Sequence, residues 1–238
     1  MTNDPIAGPP VSAHGELVRH HLEEDTRLYR VHDRKYRPEA FKAQVDQILF
    51  GGSRFGGTEL DRFPFLYAAL DPATAVLETL LHDVTFDGRP ERLIPRGAIE
   101  DLILSPLLLT VPVDLVSLMD ARALSSVGAD SWLVHCERPA YPKTRWWAKW
   151  IRSQSDWSKG LIWPSKRDLG GTALVLFGDR FDRECGIPAK IDYRPVVMPD
   201  LAAESIDFGT EDGFKWLVET LKPFHTSIAE PKKSADSS

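Results

Sequence analysis

The sequence predicts a single mixed domain of the α+β class. Apolar segments with strand character are interspersed irregularly with amphipathic segments of helical period, without the regular strand–helix repeat of a doubly wound sheet. The chain has 238 residues, 42% hydrophobic and 27% charged, which suffices for one large domain with a packed core. By composition, residues 1–24 form an N-terminal extension and residues 228–238 a disordered tail. Residues 25–227 then form the domain between two flexible termini.

The first half of the domain contains two predicted strands and a clear helix start. TRLYRVH (26–32) has the pattern of a short strand, and FPFLYAAL (63–70) is apolar throughout, which is typical of a strand buried on both faces. Asp71 is a good N-cap, and Pro72 suits the first helical position of ATAVLETLLHDV. The apolar spacing after Pro38 also predicts a helical stretch.

The second half continues the mixture of strands and helices. Residues 101–118 predict buried strands with a proline bend, and residues 141–153 predict an amphipathic helix. GLIWPS (160–165) and TALVLFG (172–178) predict two strands joined by the turn sequence KRDLGG. Short strands of this kind, placed between unequal helices, favour the α+β class.

Charge, cysteines and hydropathy narrow the class of protein. The formal net charge of −6 argues against a general nucleic-acid binder, which would carry a basic face. Cys136 and Cys185 match no metal or disulfide framework, and the histidines show no metal spacing, so we predict no metal site. The first residues lack the pattern of a signal peptide, and prolines and Asp114 interrupt the most apolar region. We therefore predict a cytoplasmic protein with no membrane partner.

The glycine-rich stretch GGSRFGG (51–57) is not a standard phosphate loop. Gly57 stands where a Walker A sequence needs its lysine, and the preceding segment lacks the pattern of a buried strand. What remains is a pliant turn with one charged side chain, Arg54. That arginine either contacts a phosphate or is simply solvated, and the stretch by itself favours the solvated arginine.

Three other polar residues lie at unusual positions. Glu78 lies at the border of the apolar helix stripe, where a carboxylate either faces a cleft or pairs with a lysine. Arg30 lies within an apolar strand and needs a buried carboxylate or a ligand as partner. Ser165 ends a strand, where serine usually forms a turn, and no hydrolase elbow accompanies it.

Taken together, these segments resemble the RES family from about Leu28 to Arg180. The resemblance rests on LYRVH, SRFGG, FLYAALDPATAVLETLLHD, YPKTRWWAKWI and GLIWPSKRDLGGTALVLFGDR, in this order and spacing. It implies a fold related to the ADP-ribosyltransferases and an NAD-consuming toxin that a cognate Xre-type antitoxin neutralises. In this chain the serine is followed by the basic pair Lys166-Arg167.

The resemblance also implies roles for five residues. Glu78, Arg30 and Ser165 would be catalytic, and Arg30, Arg54, Tyr67 and Ser165 would bind NAD or phosphate. One carboxylate suffices for this chemistry, because neutral nicotinamide leaves without a general acid. Tyr67 also has an ordinary alternative as a core residue with a satisfied hydroxyl.

The expected activity is cleavage of the nicotinamide–ribose bond of NAD. The protein would be an NAD phosphorylase or an NAD glycohydrolase, with NAD as substrate instead of cofactor and inorganic phosphate as a possible co-substrate. The alternatives are an ADP-ribosyltransferase that modifies a macromolecule and a non-catalytic NAD-binding or interaction module. We expect no direct nucleic-acid binding, and the sequence is compatible with a homo-oligomer.

Overall fold

A mixed nine-stranded β-sheet is the centre of the architecture, and a separate two-stranded sheet accompanies it. The structure, a computed structural model, describes residues 8–11, 15–181 and 195–229. The strands of this part are β1 (Arg19–Leu22), β2 (Arg27–Asp33), β3 (Phe65–Ala69), β4 (Arg92–Pro95), β5 (Leu102–Leu109), β6 (Val113–Ser117), β7 (Gly160–Pro164), β8 (Thr172–Phe177), β9 (Val197–Pro199), β10 (Ile206–Asp207) and β11 (Thr226–Ala229). The α-helices are α1 (Pro72–Leu80), α2 (Ala121–Ser126), α3 (Trp132–His135), α4 (Tyr141–Gln154) and α5 (Glu211–Leu221).

The strand order confirms the predicted α+β class. The large sheet has the order β1-β6-β7-β8-β3-β2-β5-β10, and β9 also pairs with β5. Within this sheet, β6 and β7 run parallel and the other described pairs run antiparallel. Antiparallel neighbours need only short connections, so the helices are spread along the chain without a regular repeat.

Strand β3 lies in the interior of the sheet, as its apolar sequence predicts. It pairs with β8 on one side and with β2 on the other. Phe65 packs into one apolar cluster with Trp163, whereas Leu66 packs into a second cluster on the opposite face. Because both faces are covered, the strand carries apolar side chains at consecutive positions.

Helix α1 begins as the sequence predicts. The Asp71 carboxylate accepts a hydrogen bond of 2.7 Å from the backbone N–H of Thr74, and Pro72 occupies the first turn. Val76 and Leu77 are fully buried against the sheet. The helix ends at Leu80, earlier than its apolar pattern suggests.

Helix α4 confirms the predicted amphipathic helix. Trp147 and Ile151 are buried in the core, whereas Trp146 is 56% exposed and lies off the buried face. In the described ranges, no helix combines the length and apolar character that crossing a bilayer requires.

The helix predicted after Pro38 is wrong. The Arg30 guanidinium donates hydrogen bonds of 2.7 and 2.6 Å to the carbonyls of Pro38 and Ala40, and Lys42 pairs through its backbone with Phe65. These contacts use backbone groups that a helix would pair internally. The segment is irregular, and these hydrogen bonds hold it to β2 and β3.

Both predicted domain boundaries differ from the extent of the sheets. Residues 19–22, which composition assigned to the extension, form β1 and pair antiparallel with β6, because Leu22 is buried against the core. Strand β11 passes residue 227 and pairs in parallel with β4. The rest of the predicted disordered tail, residues 1–7 and 12–14 of the extension, and Cys185 lie outside the described residues.

His32 on β2 is a buried titratable group. Its Nδ1 lies 3.0 Å from the carbonyl oxygen of Asp33, and its Nε2 lies 2.9 Å from the Ser105 hydroxyl. The carbonyl can only accept, so Nδ1 donates and Nε2 accepts from the serine. Burial, reinforced by the charge of Arg30, lowers the pKa of His32 below its ordinary value.

This lowered pKa predicts a loss of stability on mild acidification. The unfolded chain binds a proton at His32 near pH 6.5, whereas the folded protein binds it only at lower pH. The free energy of unfolding should therefore fall as the pH drops from about 7 towards 5. Urea denaturation across this range should show a smaller loss for His32→Gln than for the wild type. An equal fall in the free energy of unfolding in the two proteins would contradict the prediction. The other histidines are present in both proteins, so their contributions to the pH dependence cancel in the comparison.

Candidate functional site

A cavity of about 190 Å³ opens between β2, β3, α1 and the loop of residues 51–57. Arg30, Arg54, Tyr67 and Glu78 line it. Ser165 is fully buried behind Glu78 and hydrogen-bonds it. The structure therefore brings together all five residues that the RES resemblance singled out.

The Glu78 carboxylate faces this cavity and is held from behind. Its Oε1 accepts a hydrogen bond of 2.6 Å from the Ser165 hydroxyl and one of 3.0 Å from the backbone N–H of Lys166. Within the described residues, Glu78 forms no ion pair with a lysine side chain. The sequence left open whether Glu78 faces a cleft or pairs with a lysine, and in the structure it faces a cleft.

Ser165 orients the carboxylate and also forms the turn. Its hydroxyl oxygen accepts hydrogen bonds from the backbone N–H groups of Arg167, at 3.1 Å, and Asp168, at 3.0 Å. Because these two donors direct the hydroxyl proton away from the turn, the proton points to Glu78. The residue that sequence patterns assign to a turn is thus also a fixed partner of the carboxylate.

Arg30 lies on β2 and lines the same cavity. Its partners are the carbonyls of Pro38 and Ala40, and no carboxylate of the described residues forms an ion pair with it. Burial lowers the pKa of Arg30 to about 10, and the charge of Glu39 partly offsets this effect. The side chain remains protonated at neutral pH, and its charge has no ion-pair partner among the described residues.

Arg54 is the more deeply buried of the two arginines. It is 7% exposed, its Nη2 donates to the Tyr141 hydroxyl at 3.3 Å, and the guanidinium lies 5.3 Å from the centre of the Tyr141 ring. Its Nε has no hydrogen-bond partner in the described part of the chain. Neither does any carboxylate there form an ion pair with it. A buried cation without an ion-pair partner is stabilised by an anionic ligand.

Tyr67 supports the loop that carries Arg54. Its hydroxyl accepts a hydrogen bond of 2.7 Å from the backbone N–H of Phe55, and its ring packs edge-on against Trp163. Burial raises the pKa of Tyr67 well above its usual range. The hydroxyl of Tyr67 is thus satisfied by the loop, while its ring lines the cavity.

The glycines of the loop permit its close approach to Asp46. Gly52 has a φ of +76°, and a side-chain carbon there would lie 2.7 Å from Cβ of Asp46. The Asp46 carboxylate accepts hydrogen bonds from the backbone N–H and the hydroxyl of Ser53. These two hydrogen bonds therefore fix the turn at Ser53, the residue before Arg54.

Helix α4 also holds this loop by hydrogen bonds. The residues that donate them have no role that their sequence pattern predicted. Arg145 is buried, and its two terminal nitrogens donate to the carbonyls of Gln47, Gly51 and Ser53 at 2.7–3.0 Å. Thr144 donates to the carbonyl of Arg54. Helical spacing was the sequence signal that could have revealed these two residues. They lie on the buried face of α4, which includes Tyr141, Thr144, Arg145, Ala148, Ile151 and Arg152.

We expect Arg145→Lys to loosen this loop. A lysine cannot reach several carbonyls with the planar fork of arginine, so the free energy of unfolding should fall by about 1–2 kcal/mol. Chemical denaturation measures this loss, and hydrogen exchange at residues 47–55 should accelerate. Arg62→Lys, at an exposed arginine beside Glu59, is the matched control. Wild-type stability and wild-type exchange in Arg145→Lys would contradict the prediction.

His82 completes the wall beside Glu78. Burial, chiefly, lowers the pKa of His82, so the imidazole is neutral at pH 7. Among the described residues, no group of three or more His, Cys, Asp or Glu side chains is arranged to hold a metal ion. The charges that face the cavity are therefore two arginines and one carboxylate. This arrangement suits an anionic substrate whose reacting part becomes positive.

Comparison with known proteins identifies the family of the chain. The RES domain model matches residues 27–197, which is more than half of the sequence and includes all five predicted site residues. Among solved structures, the chain is similar to that in the crystal structure of the M. tuberculosis MbcT-MbcA toxin-antitoxin complex, with 16% identity and a TM-score of 0.45. The match covers 79% of this chain and 86% of that one. Comparison with curated proteins gave no match. The chain belongs to the RES domain family.

Proposed function

We propose that this protein cleaves the bond between nicotinamide and ribose in NAD and acts as the toxin of a toxin–antitoxin pair. Membership of the RES family supports an enzyme that acts on NAD. The observation that carries the proposal is the set of charges in one cavity, where Arg30 and Arg54 lack ion-pair partners among the described residues and Glu78 is fixed on one oxygen.

The two arginines are the proposed binding groups for the diphosphate of NAD. A guanidinium presents paired donors that match phosphate oxygens. Binding an anion would also give an ion-pair partner to two cations that have none among the described residues, and of these Arg54 is buried. The Tyr67 ring, which lines the cavity between them and Glu78, is the proposed contact for nicotinamide or ribose.

Glu78 is the proposed catalytic carboxylate. Ser165 and the backbone of Lys166 hold Oε1, whereas Oε2 forms no hydrogen bond within the described residues and is left for the substrate. When the glycosidic bond breaks, the electron pair leaves with nicotinamide as a neutral molecule and the ribose gains oxocarbenium character. A fixed anion beside the ribose stabilises that charge, and no general acid is required.

The acceptor of the ADP-ribosyl group defines the finer activity. With inorganic phosphate the protein is an NAD phosphorylase, and with water it is an NAD glycohydrolase. We also propose a cognate antitoxin for this chain, of the Xre type that the family resemblance implies.

The proposal is tested by incubating the purified full chain with NAD, with and without phosphate, and following the products by phosphorus NMR. ADP-ribose-1″-phosphate that forms only with phosphate would establish the phosphorylase, and free ADP-ribose in both buffers would establish the glycohydrolase. Label transferred from NAD to a macromolecule would favour the ADP-ribosyltransferase. Saturable NAD binding without turnover would leave a binding module and overturn the proposed activity.

A further inference from the structure

A second, smaller pocket adjoins Glu78, and Arg30 is not among the residues that line it. It is lined by Arg54, Glu78, His82, Glu137, Tyr141, Lys166 and Arg167. Three of these seven residues are cations, and two of them are the basic pair that directly follows Ser165. The pocket therefore shares Arg54 and Glu78 with the candidate active site, but it has its own charged wall.

Lys166 and Arg167 converge on a single carboxylate in this pocket. Lys166 uses its backbone N–H for Glu78, whereas its side chain forms an ion pair with Glu137. Arg167 donates a hydrogen bond of 2.5 Å to the carbonyl of His82, and its Nη2 lies 3.6 Å from Oε2 of Glu137. The carbonyl of His82 holds the guanidinium of Arg167, and the backbone hydrogen bond to Glu78 fixes the main chain from which the Lys166 side chain extends.

Burial is unequal between the cations and their anion. The side chains of Lys166 and Arg167 are 21% and 13% exposed, whereas that of Glu137 is 56% exposed. An ion pair with so exposed a carboxylate contributes little to stability, so Glu137 can swing into solvent at small cost. The two covered cations would then line the pocket without an anionic partner.

Arg54 adds a third positive charge to the same place. It is almost fully buried, has no ion-pair partner in the described ranges, and contributes with Lys166 and Arg167 to the lowered pKa of Glu137, for which the hydrogen bond from Lys166 is the largest cause. Three cations thus line the same pocket as one half-exposed carboxylate. A phosphoryl group, with more charge and more acceptor oxygens than a carboxylate, satisfies such a set better.

We propose that Lys166, Arg167 and Arg54 form a phosphoryl-binding subsite beside Glu78, and that the Glu137 carboxylate occupies this subsite as an internal, displaceable competitor. The assignment rests on the proposed function for the source of the phosphoryl group, which is either free inorganic phosphate or the diphosphate of NAD. In both cases Glu137 must leave the cations before the ligand binds. Glu137 therefore sets the concentration at which the subsite fills.

Binding to the full chain without NAD tests the subsite directly. Inorganic phosphate and pyrophosphate are titrated by calorimetry into the wild type, Glu137→Gln and Lys166→Gln. We expect Glu137→Gln to bind about five- to tenfold more tightly, because the competitor is gone, and Lys166→Gln about tenfold more weakly. Glu219→Gln and Lys222→Gln, which alter a solvent-exposed Glu–Lys pair on the C-terminal helix, should bind like the wild type. Equal affinity in all five proteins, or weaker binding by Glu137→Gln, would overturn the proposal.

NAD turnover by the same variants separates the two phosphoryl sources. If the subsite holds free phosphate, the variants shift the phosphate concentration for half-maximal rate and leave the KM for NAD unchanged. If it holds the diphosphate, they shift the KM for NAD in the same directions. No turnover by the wild type, together with phosphate binding that depends on Lys166, would refute the proposed function and leave the subsite supported.

Discussion

Glu78→Gln should lower the rate of NAD cleavage by about a thousandfold, which is the scale of losing one fixed charge beside a developing opposite charge. The amide oxygen of glutamine can still accept the hydrogen bonds from Ser165 and the backbone of Lys166. The fold should therefore be kept, and the loss should fall on kcat. Initial rates of nicotinamide release, with thermal unfolding on the same samples, give both quantities.

The matched control for this change is Glu219→Gln. Glu219 lies on α5, where it forms an exposed ion pair with Lys222 at 3.5 Å, and it should keep the wild-type rate. A folded Glu78→Gln protein that retains the wild-type rate within tenfold would remove Glu78 from the catalytic role. In cells, the proposed toxin function predicts that expression of the wild type without the proposed antitoxin inhibits growth and that Glu78→Gln relieves this inhibition.

Arg54→Met is expected to weaken NAD binding by about a hundredfold and yet to raise the melting temperature. The binding loss follows from removing a paired donor for phosphate, which is worth about 2–3 kcal/mol. The stability gain follows because the guanidinium is 7% exposed and forms no ion pair with a carboxylate within the described residues. Replacing such a charge by a flexible apolar side chain should yield about 1 kcal/mol, or about 2–4 °C.

Opposite signs of the two effects distinguish a binding residue from a structural one. Calorimetric titration with NAD measures the affinity, and thermal unfolding without ligand measures the stability. The control is Arg89→Met, at an exposed arginine that pairs with Asp87, and it should change neither quantity appreciably. A lower melting temperature with unchanged NAD affinity in Arg54→Met would show that Arg54 serves the fold.

Several features follow from local sequence, because the interactions that specify them lie within a few residues of one another. The start of α1 is one. The Asp71 carboxylate accepts a hydrogen bond from the N–H of Thr74, three residues later, and the ring of Pro72 fixes a φ suited to a helix. The burial of β3 is another, because its continuous apolar run has no polar face to turn towards water. The border position of Glu78 follows from helical period, the unusual positions of Arg30, Arg54 and Ser165 are also visible in the sequence, and the family resemblance added Tyr67 and the candidate roles.

Other features depend on contacts between residues far apart in the chain. The segment after Pro38 has helical spacing, but Arg30 and Phe65 take its backbone groups, so tertiary hydrogen bonds outweigh a weak local preference. The serine that holds Glu78 is 87 positions away, and Arg145 holds a loop more than 90 positions away. Helical period and turn propensity carry no information about such partners. The assembly of the sheet brings the end of β7 beside α1, and it brings α4 beside the loop of residues 51–57. Only this tertiary arrangement decides that one oxygen of Glu78 is held and the other is left without a hydrogen bond among the described residues.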